Sequence, residues 1–146
     1  MTDSSRFLPA ASPQTRRALF LGWAMYVISF GLPMMDDMWG YDGFWVYIEE
    51  MFEIDSFDLD ALTIIAINAS NLIMILSPLL LLKGLAPGTL GILLILGGLH
   101  NTRFMWNIEP DDTMEAIKDL FPAYYVWWLS FFVTGFAIRK TQEVPA

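Results

Sequence analysis

The chain has 146 residues, enough for one domain, and only 16% of them are charged against 55% hydrophobic and 15% aromatic. Water-soluble domains carry about 25% charged residues, so the long neutral runs here lack the polar surface that would clothe them in water. A net charge of −8 argues against nucleic acid as a partner, and the absence of cysteine excludes disulfides, zinc-thiolate sites, iron–sulfur clusters and cysteine nucleophiles.

Residues 1–15 are polar and rich in Pro and Ser, which predicts a loosely ordered cytoplasmic tail. A bilayer core needs about 20 predominantly apolar residues per helix. The first span is predicted over about 18–35, between Arg17 and Asp36, with Pro33 bending or ending it. Thr15-Arg16-Arg17-Ala18-Leu19-Phe20-Leu21 has the look of a twin-arginine export signal. No small-x-small cleavage site follows, so the expectation is a retained signal-anchor helix with positive flanks.

An outer loop is predicted over 36–60. Phe44, Trp45, Ile48, Met51 and Phe52 recur at helical spacing, with Glu49, Glu50 and Glu53 between them. That pattern predicts a short amphipathic helix on the membrane surface. Trp39, Tyr41, Trp45 and Tyr47 suit an interfacial aromatic belt. Ser56 is the expected cap of the next helix, with Asp58 and Asp60 near its positive end.

The second span, about 61–82, holds Thr63, Asn68, Ser70, Asn71 and Ser77. Thr63, Ser70 and Ser77 share one stripe, and Asn68 and Asn71 sit on a neighbouring face. Polar groups on that much of the circumference predict a helix that faces protein on several sides. The turn Lys83-Gly84-Leu85-Ala86-Pro87-Gly88 leads into a third span over about 87–106. Gly91 and Gly98 lie on one face of it and predict close helix packing. It ends in His100-Asn101-Thr102-Arg103. A second outer loop, 107–119, carries Asp112-Thr113-Met114-Glu115, a capping-box pattern for a short helix. The fourth span is predicted over about 120–138, with Pro122 in its first turn. Continuous runs such as Leu79-Leu80-Leu81-Leu82 fit helices and not the alternation of a lipid-facing barrel. The predicted fold class is therefore all-α: an integral membrane bundle of four transmembrane helices with a short amphipathic outer-loop helix.

Orientation follows from the basic residues. Arg6, Arg16, Arg17, Lys83, Arg139 and Lys140 fall on one side, assigned as cytoplasmic, and only Arg103 and Lys118 on the other. The outer side also receives all acids except Asp3 and Glu143. Both termini are thus expected in the cytoplasm of a cell with the protein in its inner (plasma) membrane.

Chemistry inside the membrane would have to use the polar groups of the spans. Asn68, Asn71, His100, Asn101 and Arg103, joined by Tyr124 or Tyr125, form the candidate cluster for a small ligand or lipid near the outer leaflet. The plain alternative is interhelical hydrogen bonding, worth about 0.6–2 kcal/mol each. His100, the single histidine, admits a haem or pigment ligand, against an interfacial histidine bonded to a carbonyl or headgroup. Asp55, Asp58 and Asp60 lack the spacing of a calcium loop, the nine Met residues read as core filling, and no catalytic triad, phosphate loop or dinucleotide fingerprint is present.

Asn71-Leu72-Ile73, Ser77-Pro78-Leu79-Leu80-Leu81-Leu82 and Tyr124-Tyr125-Val126-Trp127-Trp128-Leu129-Ser130-Phe131 give the chain its family likeness. In these segments and in length it resembles small four-helix membrane proteins of bacteria to which no activity is attached. The resemblance implies four helices in an inner membrane and transfers no functional residue. The expected function is a non-enzymatic accessory subunit of a larger membrane assembly. Its partners would be the lipid bilayer and other membrane subunits, with no cofactor and no metal.

Overall fold

The computed structural model describes residues 12–35, 38–82, 87–102 and 122–141. Five helices carry most of them: α1 (Pro13–Ser29), α2 (Gly40–Phe52), α3 (Leu59–Leu82), α4 (Pro87–Asn101) and α5 (Pro122–Lys140). A short antiparallel ladder, β1 (Pro33–Met35) with β2 (Met38–Trp39), links α1 to α2. The all-α class holds. The N-terminal tail, the Lys83 turn, Arg103 and the second outer loop with its expected Asp112–Glu115 helix lie outside the described residues.

Local chemistry explains where the helices start and stop. Ser12 Oγ accepts the Thr15 amide at 3.1 Å and Pro13 opens α1, where its missing N–H removes nothing. The helix ends at Ser29, and residues 33–35 of the expected first span form β1. Pro33 cannot continue the helix, and the residue before it is biased toward extended backbone. Asp42 reaches back to the Trp39 amide at 2.9 Å, which holds the start of α2. For α3 the cap is Asp58, not the expected Ser56. Asp58 Oδ1 accepts the Asp60 and Ala61 amides at 3.1 and 3.0 Å, while Ser56 braces its other oxygen at 2.8 Å. The Ala61 amide first, then the Ser56 hydroxyl, hold the Asp58 carboxyl below its ordinary range.

The bundle runs up and down. Residues near 22 and 26 of α1 meet residues near 134 and 131 of α5, so those two helices are antiparallel. Gly91 meets Gly135, and Ser70 meets Asn101, which makes α4 antiparallel to both α5 and α3. The closest packing is α1 on α5, then α4 on α5, then α3 on α4. Small residues allow it. A Cβ on Gly91 would come within 2.8 Å of the Gly135 carbonyl, and one on Gly22 would collide with the Thr134 hydroxyl. Between α1 and α3 the gap is wider and long aromatic side chains bridge it. The main core joins Leu19, Tyr26, Met74, Leu94, Phe131 and Ile138. A smaller cluster packs Met34 on Ala123 and Tyr124.

Among the described residues one helix, α3, is long and apolar enough to cross a membrane; α4 is apolar but short. At 1.5 Å per residue the 24 residues of α3 span about 36 Å, and the 15 of α4 about 22 Å. The remaining long helices fall short: α1 has only 17 residues and opens with Arg16 and Arg17, while α5 carries two Tyr and two Trp and ends in Arg139 and Lys140. Pro78 sits inside α3. It has no N–H for the carbonyl four residues back, that of Met74. The Ser77 hydroxyl donates to that same carbonyl at 2.8 Å and repairs the break.

Candidate functional site

The polar groups of α3 meet aromatic donors from the neighbouring helices. Asn71, 4% exposed, is the centre. Its Oδ1 accepts the Tyr26 hydroxyl at 3.0 Å and the Trp127 indole N–H at 2.9 Å, so α1, α3 and α5 converge on one atom. An indole N–H only donates, which fixes the atom facing it as the amide oxygen. The Nδ2 of Asn71 is then turned away from both, and it has no hydrogen-bond partner among the described residues.

Beside it lies a partly open cavity of about 30 Å³, lined chiefly by aromatic and methionine side chains with Ser29, Gly40 and Gly43. Asn71, Tyr124, Trp127, Phe44 and Tyr47 form its wall. Burial, reinforced by the Glu50 carboxylate, pushes the Tyr47 hydroxyl above the ordinary phenol range, so it stays a neutral O–H. Glu50 itself is raised from its ordinary value by burial and by Glu53.

The other expected site residues are placed as follows. Asn68 donates to the Tyr47 carbonyl at 2.7 Å and to the Ile64 carbonyl at 3.1 Å, which ties α2 onto α3. Asn101 is fully buried and donates to Ser70 Oγ at 3.2 Å, while its backbone carbonyl accepts the Tyr124 hydroxyl at 2.9 Å. Tyr125 is half-buried and stacks edge-on against Tyr124 at 5.5 Å. His100 Nε2 and Asn101 Oδ1 are buried and make no hydrogen bond among the described residues. Among the described residues no three His, Asp or Glu side chains gather as a metal site. Gly91 and Gly98 both face α5, as their spacing predicts: Gly98 lies against Phe131 and Phe132.

Thus Asn68, Asn71, Asn101, Tyr124 and Tyr125 lie near one end of the bundle, but as separate bonded pairs and not as one constellation. Sequence reasoning missed the donors that complete them: Trp23 to Ser77 Oγ at 2.9 Å, Tyr26 and Trp127 to Asn71, and Trp128 to the Gly98 carbonyl at 2.9 Å. A signal was available. An indole or phenol inside an apolar helix carries a donor that needs a buried acceptor, and α3 offers the acceptors.

Comparison with known proteins gives no match to a family model, to a curated protein or to a solved structure, so similarity adds nothing to what the residues carry.

Proposed function

We propose that this chain is a four-span protein of the inner membrane, with both ends cytoplasmic, and that it serves as a non-enzymatic subunit of a larger membrane assembly. The division of polarity carries this reading. Inside the bundle, hydrogen bonds from Trp23 to Ser77, Tyr26 and Trp127 to Asn71, Asn101 to Ser70 and Trp128 to the Gly98 carbonyl join helices. Outside, α3 exposes Leu62, Ile65, Leu72, Ile75, Leu76 and Leu79, and α4 exposes Ile92, Leu93, Leu96 and Leu99. Only 33% of the apolar window of α3 is buried within the chain, whereas the core helix of a soluble protein is mostly covered. Lipid or another apolar surface is the medium that such faces require.

Charge supports the orientation. Arg16 and Arg17 open α1, Arg139 and Lys140 close α5, and the antiparallel pairing brings these four to one end. Basic residues favour the cytoplasmic side. The opposite end carries Glu49, Glu50, Glu53, Asp55, Asp58 and Asp60 around α2.

Length supports the association with partners. A helix of 15 residues, about 22 Å, is shorter than a hydrocarbon core of about 30 Å. A short hydrophobic stretch is accommodated by thinning the bilayer, snorkelling or oligomerising, and neighbouring subunits remove the mismatch. The test is native purification after extraction in a mild detergent. A larger complex containing a second membrane protein is expected. A clean monomer that brings nothing with it contradicts the subunit role.

A further inference from the structure

We propose that the cavity beneath α2 is a binding site for the carbonyl oxygen of an apolar molecule drawn from the membrane, held by the Asn71 amide. This site needs the membrane placement proposed above but no partner subunit.

The donor is defined by what surrounds it. Tyr26 and Trp127 both donate to Asn71 Oδ1, which locks the amide in one orientation and leaves its two N–H bonds turned the other way. Asn71 is more than nine-tenths buried and lines the cavity, and Nδ2 meets no acceptor among the described residues. The residue is buried but this nitrogen is not sealed among packed atoms, so a guest in the cavity that brings an acceptor gains a hydrogen bond from an amide otherwise without one. The other hydroxyl donors of known direction on the wall are already committed. Ser29 Oγ donates to the Tyr26 carbonyl at 2.6 Å, and Tyr124 donates to the Asn101 carbonyl at 2.9 Å.

Size and lining define the guest. About 30 Å³ takes an oxygen-sized group and the atom that bears it, but not a whole ring or headgroup. The rest of the molecule must lie in the open mouth, against Phe30, Phe44, Met34 and Trp127. Those surfaces are apolar, and among the described residues no cationic side chain lines the cavity to hold a carboxylate or phosphate. A neutral carbonyl on a hydrophobic body satisfies all three conditions. Two membrane sources offer one: the ester of a glycerolipid and the ring ketone of a quinone.

Three probes separate the sources, with the protein in a maltoside detergent that has no carbonyl: a diacylglycerol, its dialkyl ether analogue and a decyl-substituted benzoquinone. Because the chain has six tryptophans and quinones quench indole emission without binding, occupancy is read as binding of each radiolabelled probe that unlabelled probe displaces. A saturable response to either carbonyl probe, with the ether at least about tenfold weaker, is expected from the loss of one buried hydrogen bond that leaves its donor unpaired. The ester responding identifies a lipid site, and the quinone responding a ring-ketone site. Asn71→Asp keeps an oxygen for Tyr26 and Trp127 while replacing the amide donor, and it is expected to weaken the response about tenfold. Equal binding of ester and ether, or no saturable response to any probe, overturns the proposal. The wild-type comparison decides the matter even where the variant fails to assemble.

Discussion

The repair of α3 at Pro78 gives a prediction that a list of contacts alone would not. Ser77 is fully buried and serves two neighbours at once: it donates to the Met74 carbonyl at 2.8 Å and accepts from the Trp23 indole at 2.9 Å. Ser77→Ala orphans both groups. Hydrogen bonds between membrane helices average about 0.6 kcal/mol and reach about 1.7, so removing two costs about 1–3 kcal/mol. Pro78→Ala restores an N–H that can bond the Met74 carbonyl. In that background Ser77→Ala orphans only the indole and costs about half as much. The two substitutions are therefore coupled by about 1 kcal/mol. Unfolding of the four proteins by sodium dodecyl sulfate in mixed micelles, followed by helical circular dichroism, measures the cycle. Costs that add to within about 0.3 kcal/mol would mean that the hydroxyl does not stand in for the missing amide, and the reasoning would be wrong.

Other predictions follow from close packing and from capping. Gly91→Ala places a methyl group against the Gly135 backbone at 2.8 Å, so α4 and α5 must separate, at about 1–3 kcal/mol in the same unfolding assay. Gly31→Ala meets only the Ile28 carbonyl at 3.7 Å and is expected to change stability by less than about 0.5 kcal/mol; equal effects from both would refute the interface. Asp58→Ala should speed hydrogen exchange at the Asp60 and Ala61 amides, and Asp58→Ser should largely restore protection, because a hydroxyl also caps. The Asp58 carboxyl is held below its ordinary range, so its contribution is present above the unfolded value and fades as pH falls through the folded one. Protection at those two amides that is unchanged on acidification through the carboxylate range would contradict the cap.

What could be read in advance has a common physical form: patterns contained in a single segment. The period of Phe44, Trp45, Ile48, Met51 and Phe52 predicts α2, and the helix is there. The spacing of Gly91 and Gly98 predicts one packing face, and both lie on α5. The partner Gly135 was not legible, since a close contact depends on the register between two helices and no single segment records it. The same holds for Asn71. Its place on a polar face could be read, but not that Tyr26 and Trp127 take its oxygen and leave its nitrogen over. The ladder Pro33–Met35 with Met38–Trp39 is too short to show a period, so that stretch reads as the tail of a helix. Ser56 and Asp58 compete for one cap, and geometry favours the residue that directly precedes the first turn. The role of Ser77 was within reach: a Ser-Pro pair in an apolar helix announces both an orphaned carbonyl four residues before the proline and a hydroxyl placed to take it.

The proposed placement of this chain, four spans with both ends cytoplasmic, can be tested directly. Because the chain has no cysteine, single cysteines can be placed at will and probed with a thiol reagent that does not cross membranes. Glu53→Cys, beside α2, should react in intact cells, and Ser12→Cys and Thr141→Cys should react only after the inner membrane is opened. Labelling of one end in intact cells and not the other, or protection of position 53 alongside two labelled ends, would contradict the proposed arrangement.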